Sequence, residues 1–271
     1  MDNSVYALHG NNFMFDLIRK FKEEFILRKH LVDDALWLKT INKIQVLKSL
    51  KPRELARLKR LSSLFIYEKT FTGIRGFVVD DEKKLMIAAQ ACLPILNLNM
   101  SYYEGWIEVV VYPDNFVVYR NVTDNFGLVH ETSSALSGEA WSKGPVILAW
   151  TDVERDSLHN HPGHNVVIHE FTHKLDMLNG RANGMPPLHP KMHRKQWTDS
   201  LSHAYDILLN QIENFEPTTI NEYAATNPAE FFAVISEYFF TAPEILFEYC
   251  AEVYKQLVLF YKQDYLKLDK Y

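Results

Sequence analysis

Apolar positions recur along the chain at two spacings. In FMFDLIRKFKEEFILRKH (13–30), Phe13, Leu17, Phe21, Phe25 and Ile26 keep the three-to-four-residue period of a helix. Basic amphipathic helices can lie on membranes. Here acidic residues are mixed in, and the face is expected to pack on the body of the protein. PRELARLKRLSSLFIYEK continues in helical register, with Pro52 suited to a first turn. TGIRGF then turns the chain, and EKKLMIAAQACLPIL (82–96) reads as a buried helix ending near Pro94. GWIEVVVYP and FVVYR change the pattern, their β-branched and aromatic residues predicting strands. GPVILAW (144–150) predicts another, with TDVERDS behind it. Helical spacing returns over about 164–179, 190–212, 228–240 and 243–264. Many helices and few strands predict an α+β fold. Residues 1–40 read as an N-terminal helical extension and 41–271 as the main domain, without internal repeats or low-complexity linkers.

Composition narrows the class. Of 271 residues 47% are hydrophobic and 23% charged, as in a globular protein with a substantial core. The net charge of −5 disfavours direct nucleic-acid binding through a basic surface. No signal peptide and no membrane-spanning run are expected, and Cys92 and Cys250 stand far apart without metal-ligand spacing. Two buried free thiols and a cytoplasmic location are the expectation.

One stretch carries chemistry. VVIHEFTHKLDMLNG (166–180) holds His169 and His173, four apart and therefore stacked on one helix face, able to aim both imidazoles at one point. Glu170 lies about 100° round the helix, placed to act on a water without holding the metal. This His-Glu-x-x-His arrangement is the zinc-peptidase signature. A chance match would sit on a polar, exposed helix. Here the flanks are VVI and LDML, and burying two histidines and a glutamate without a partner is costly. A metal resolves that cost.

Catalytic zinc sites take three protein ligands. A third histidine six residues after His173 is absent, the position being Asn179. EYAATNPAEFFAVISEYFF (222–240) offers Glu230. One reading makes Glu230 the partner of Asn227 in a capping box, with Pro228 at the first helical position. The other makes it the third ligand, favoured because the helix that follows is deeply apolar and its acids need a cation or donors. Glu237 shares the face and is read as a supporting or structural group. Tyr223 precedes Glu230 by seven and could reach the same cavity. Asp176 is either an orienting group or a helix-end hydrogen-bond acceptor. The remaining histidines, His130, His161, His164, His189, His193 and His203, are expected at the surface or in packing.

VVIHEFTHKLDMLNG with EYAATNPAEFFAVISEYFF, and with CLPIL, VVVYPDNFVV and SGEAWSKGPVILAW in the same order, resembles the Mlc titration factor A (MtfA) family of zinc peptidases. The resemblance covers about residues 45–265. It implies a gluzincin-type, zincin-like fold akin to the anthrax lethal factor catalytic domain, mostly helical with a small mixed sheet. It further implies one Zn²⁺ held by His169, His173 and Glu230, Glu170 as general base and Tyr223 as assisting tyrosine. Aminopeptidase-like action on a peptide or protein substrate follows from it, as does binding to an Mlc-like transcriptional repressor. In a zincin layout, PVILAW (145–150) would be the edge strand beside the substrate. The rival function is a regulatory factor that sequesters such a repressor, with catalysis secondary. Purely structural zinc is disfavoured because closed sites take four ligands, commonly with cysteine.

Overall fold

The computed structural model describes residues 4–114, 116–123, 129–136, 138–140 and 144–267. Its architecture is α+β, as the sequence predicts. Helices α1 (Ser4–His30), α2 (Asp34–Ile41) and α3 (Pro52–Glu68) lead into strand β1 (Thr70–Gly73) and helix α4 (Asp81–Cys92). Strands β2 (Glu108–Tyr112), β3 (Phe116–Thr123), β4 (Val129–Leu136), β5 (Gly138–Ala140) and β6 (Val146–Ala149) follow. Helices α5 (Trp150–Leu158), α6 (Val166–Asp176), α7 (Arg194–Glu213), α8 (Pro228–Thr241), α9 (Pro243–Tyr249) and α10 (Ala251–Tyr261) complete the chain.

The sheet has the order β1-β2-β6-β5. Its first two pairings are parallel and β5–β6 is antiparallel. β3 and β4 form a separate antiparallel pair between β2 and β5 in sequence. This corrects the expectation that residues 145–150 form the edge. β6 is paired on both sides, and the edge beside the motif helix is β5, which lies against α6. A three-residue strand has too few positions to show an alternating pattern. It exists because β6 offers it a ladder.

Other differences have local causes. Thr70–Gly73 forms a strand that takes in Thr72 and Gly73, the first two residues of the predicted turn, and the turn itself uses left-handed Arg75 and Gly76. TDVERDS is helical, part of α5, which begins at Trp150 and buries Val153, Asp152 and Asp156 on one side. The long helix expected over 243–264 breaks at Cys250, whose backbone is extended between α9 and α10.

The α1 expectation needs the largest correction. Ile26 and Leu27 pack into the core, but Leu17, Phe21 and Phe25 are exposed. Apolar residues surround this helix more widely than one buried face requires, and packing on α3 leaves Phe21 in solvent. The Phe13 side chain lies outside the described ones.

The core runs without interruption from Ile26 to Tyr261. Phe171, on the inner side of the motif helix, anchors it, fully buried and packed edge-on against Tyr103 (5.2 Å between ring centroids) and Trp106 (5.7 Å) and tilted against Phe65 (5.5 Å). Burying a side chain of that size contributes about 1.5–3 kcal/mol. Helix α6 is thereby held between α4 and α8, with β5 and β6 alongside. Cys92 is buried and Cys250 half-buried, both as free thiols. Among the described residues no helix is long and apolar enough to cross a membrane.

Candidate metal centre

The motif helix starts on a built N-cap. The Asn165 side-chain oxygen accepts from Ile168 N at 2.9 Å, and Asp156 accepts from Val166 N at 2.9 Å. Both satisfy donors that a helix start leaves open. Asn165 Nδ2 donates to Gln90 on α4, and Gln90 donates to Ser157 on α5, so these two helices fix the entry of α6. Gly163, just upstream, has φ +70, and a Cβ there would meet the Tyr238 ring at 2.2 Å. Gly163→Ala is expected to cost about 1–3 kcal/mol in unfolding free energy, from left-handed strain and overpacking. Urea denaturation checks this, and an unchanged midpoint would contradict the tight packing.

His169 and His173 project together, their ring centroids 4.9 Å apart. From α8, Glu230 Oε2 stands 3.0 Å from His169 Nε2 and 3.4 Å from His173 Nε2. Asn227 caps α8 by accepting from Ala229 N and Glu230 N, while the Glu230 carboxylate turns to the two histidines instead of completing a box. Among the described residues these three form the group able to hold a metal, with one donor atom from each lying within 4.8 Å of the others.

The donors fit a cation. His169 Nδ1 and Glu237 Oε1 are 2.7 Å apart, so Nδ1–H donates to the carboxylate and Nε2 is the ring atom turned to the centre. Nε2 faces a carboxylate oxygen at 3.0 Å, a contact that takes a positive charge between the two atoms, a proton or, in its place, a metal ion. Tetrahedral zinc with bonds of about 2.0–2.1 Å places its donors about 3.3 Å apart, close to the spacings here. Electrostatics agree. Burial disfavours the charged His169, but Glu237 and Glu230 outweigh it and hold its pKa well above the ordinary range. Burial pushes Glu230 up, and hydrogen bonds from His169 and His173 more than reverse this, leaving its carboxyl well below the carboxylate range.

Glu170 is distinct. It is 5% exposed, and its Oε2 is buried without a hydrogen-bond partner. Burial raises its pKa to about 7. A carboxylate so placed can take up and release a proton near neutrality. Tyr223 sits on the short turn Glu222–Thr226, half exposed, its ring centroid 6.0 Å from that of His169. Asp176 is fully buried and accepts from Asn183 N and Gly184 N, both at 2.7 Å, which ties the loop after α6 to the helix end.

Glu237 holds two groups at once, His169 Nδ1 through one oxygen and Asn165 N through the other. The sequence marks Glu237 as a buried acid without naming its partner. It gives no role to Gln90 or Asn165, although an Asn directly before VVIHE is a readable N-cap signal. Among the described residues the other histidines stay outside the centre. His161, His164, His193 and His203 are exposed, and His189 Nε2 donates to Phe260 O at 2.7 Å. The His130 side chain lies outside the described ones.

The sequence profile described as glucose-regulated metallo-peptidase M90 matches residues 18–262, nearly the whole chain. The chain belongs to the M90 metallo-peptidase family. Several proteins named Mlc titration factor A are similar to this family member. One from Escherichia fergusonii is 41% identical over 224 residues, covering 82% of this chain and 83% of the relative. One from Yersinia pestis (strain Pestoides F) and one from Yersinia pseudotuberculosis serotype O:1b (strain IP 31758) are each 38% identical over 233 residues, covering 85% of both partners in the comparison. The M90 match begins at residue 18, inside α1, and ends at residue 262, just past α10, so it spans all the elements that build the centre.

Proposed function

We propose that this M90 member is a zinc-dependent peptidase, with His169, His173 and Glu230 as ligands of one zinc ion and Glu170 as general base. The observation that carries this reading is the convergence of two imidazole nitrogens on one carboxylate oxygen, 3.0 and 3.4 Å away. The partnerless Glu170 carboxylate belongs to the same buried helix. The chemistry zinc supplies when bound is Lewis acidity, which makes water nucleophilic at neutral pH and polarises a carbonyl. Glu170 accepts the proton of the attacking water and returns it to the leaving amine. The Tyr223 hydroxyl donates to the oxyanion that develops on the scissile carbonyl. Glu237 keeps the His169 ring in one orientation and one tautomer. The peptide lies extended along β5, the sheet edge against α6, where main-chain groups stand open for pairing.

An aminopeptidase-like preference, action in the cytoplasm and zinc as the metal complete the reading. Comparing cleavage of free and N-acetylated peptides tests the first, with faster cleavage of the free form expected. Tyr223→Phe should keep fold and zinc and lower kcat about 10²–10³-fold with little change in KM, as for loss of one oxyanion donor. Equal kcat in the two proteins would remove Tyr223 from the mechanism. Glu237→Gln preserves shape but weakens the charge facing His169. A drop of about 10–100-fold in zinc affinity is expected, the usual scale for a group that orients a metal-binding histidine. Competition against a chromogenic chelator measures it, and unchanged affinity would leave Glu237 as packing alone.

A second reading is favoured by the relatives' shared name, Mlc titration factor A. By that name this chain also binds an Mlc-type transcriptional repressor. Glu170→Gln should then keep repressor binding while losing hydrolysis, measured by co-purification with a purified repressor of that type.

A further inference from the structure

We propose that the outer face of α1 docks on anionic phospholipid membranes. Four large apolar side chains of this helix face water: Phe21 is 69% exposed, Phe25 63%, Ile18 58% and Leu17 44%. At about 100° per residue they fall within one arc of roughly 100°. Ile26 and Leu27, which enter the core, lie on the far side of the helix. The stripe is therefore the unused face of a helix already anchored, and its exposure costs nothing in the packing of the body.

Charge identifies what covers it. Residues 17–30 carry Arg19, Lys20, Lys22, Arg28 and Lys29 against Glu23 and Glu24, a net +3 in a chain of net −5. Lys22 and Lys29 border the stripe on one side and Glu24 on the other, and Arg28 falls within it, all exposed. Behind α1, a cleft of about 280 Å³ shared with α3 presents Arg19, Lys20, Arg57 and Arg60 on its wall against Glu23. An apolar ridge with Arg28 within it and Lys22 and Lys29 along one border, against the single acid Glu24, suits a field of anionic headgroups. The rings enter the acyl boundary while the ammonium groups stay among the phosphates. The helix would lie in the interface and cross nothing. The proposal is independent of the metal centre, since no residue of the stripe belongs to it.

Co-sedimentation of the full chain with vesicles tests it. Wild type is expected to sediment with phosphatidylglycerol–phosphatidylethanolamine vesicles and to stay in solution with phosphatidylcholine vesicles. The double variant Phe21→Ser/Phe25→Ser alters exposed positions, so its circular dichroism should match wild type. Its partition should fall at least about ten-fold, since one partly inserted phenyl ring suffices for that. Lys22→Glu/Lys29→Glu should lose binding as well while keeping both rings. The proposal is overturned if wild type ignores anionic vesicles, binds neutral ones equally, or is unaffected by both double variants. It is also overturned if sedimentation velocity shows a wild-type dimer that the serine variant dissociates, because a second copy would then cover the face.

Discussion

Glu170→Gln should retain zinc and lose hydrolysis by about 10²–10⁴-fold, the usual contribution of a positioned general acid–base group. The expectation follows from what surrounds the side chain. Glu170 is not in the group of donors that converge on one point. Its inner oxygen makes no hydrogen bond, so glutamine of the same shape breaks none that is described, and zinc content should stay at that of wild type. What glutamine cannot do is take a proton. The loss should appear in kcat and in kcat/KM alike, with KM little changed. Turnover near that of wild type, in protein loaded with zinc, would sink the proposed mechanism.

Glu230→Ala should lose the metal itself. Its carboxylate oxygen is the point on which both imidazoles converge. Without it two nitrogens remain, one fewer protein ligand than catalytic zinc sites commonly use. Affinity should fall by more than about 10²-fold, beyond what loss of an orienting group typically costs, and hydrolysis should fall with it. The start of α8 should survive, because the cap is made by Asn227 and not by the Glu230 side chain. Circular dichroism of the metal-free variant should therefore resemble that of metal-free wild type. Zinc binding as tight as in wild type would return Glu230 to a role at the helix start and direct attention to Glu237 or Asp176.

The site was more legible in the sequence than its frame. His169, Glu170 and His173 share one helix, so their spacing alone fixes how they face one another. Glu230 could be suspected because an acid in so apolar a helix needs a partner, but only the folded chain brings that partner within 3.0 Å. Glu237 posed the same question, and its answer, His169 Nδ1 and Asn165 N, lies about seventy residues away in sequence. Periodicity found α3, α4, α6, α7 and α8. It failed where an element depends on its neighbour, as with β5 on β6, or where backbone changes direction without glycine or proline, as at Cys250. It also misled at α1, because periodicity shows that a face is apolar and not what covers it.

In the proposed mechanism zinc held by His169, His173 and Glu230 drives peptide hydrolysis. The most direct measurement is zinc titration of the chelator-stripped full chain, following bound metal and peptide cleavage in the same samples. Stripped protein should be inactive, and cleavage should return in proportion to bound zinc and saturate at about one ion per chain. Cleavage that persists in fully stripped protein, or zinc that binds at this stoichiometry equally well after Glu230→Ala, would contradict that mechanism.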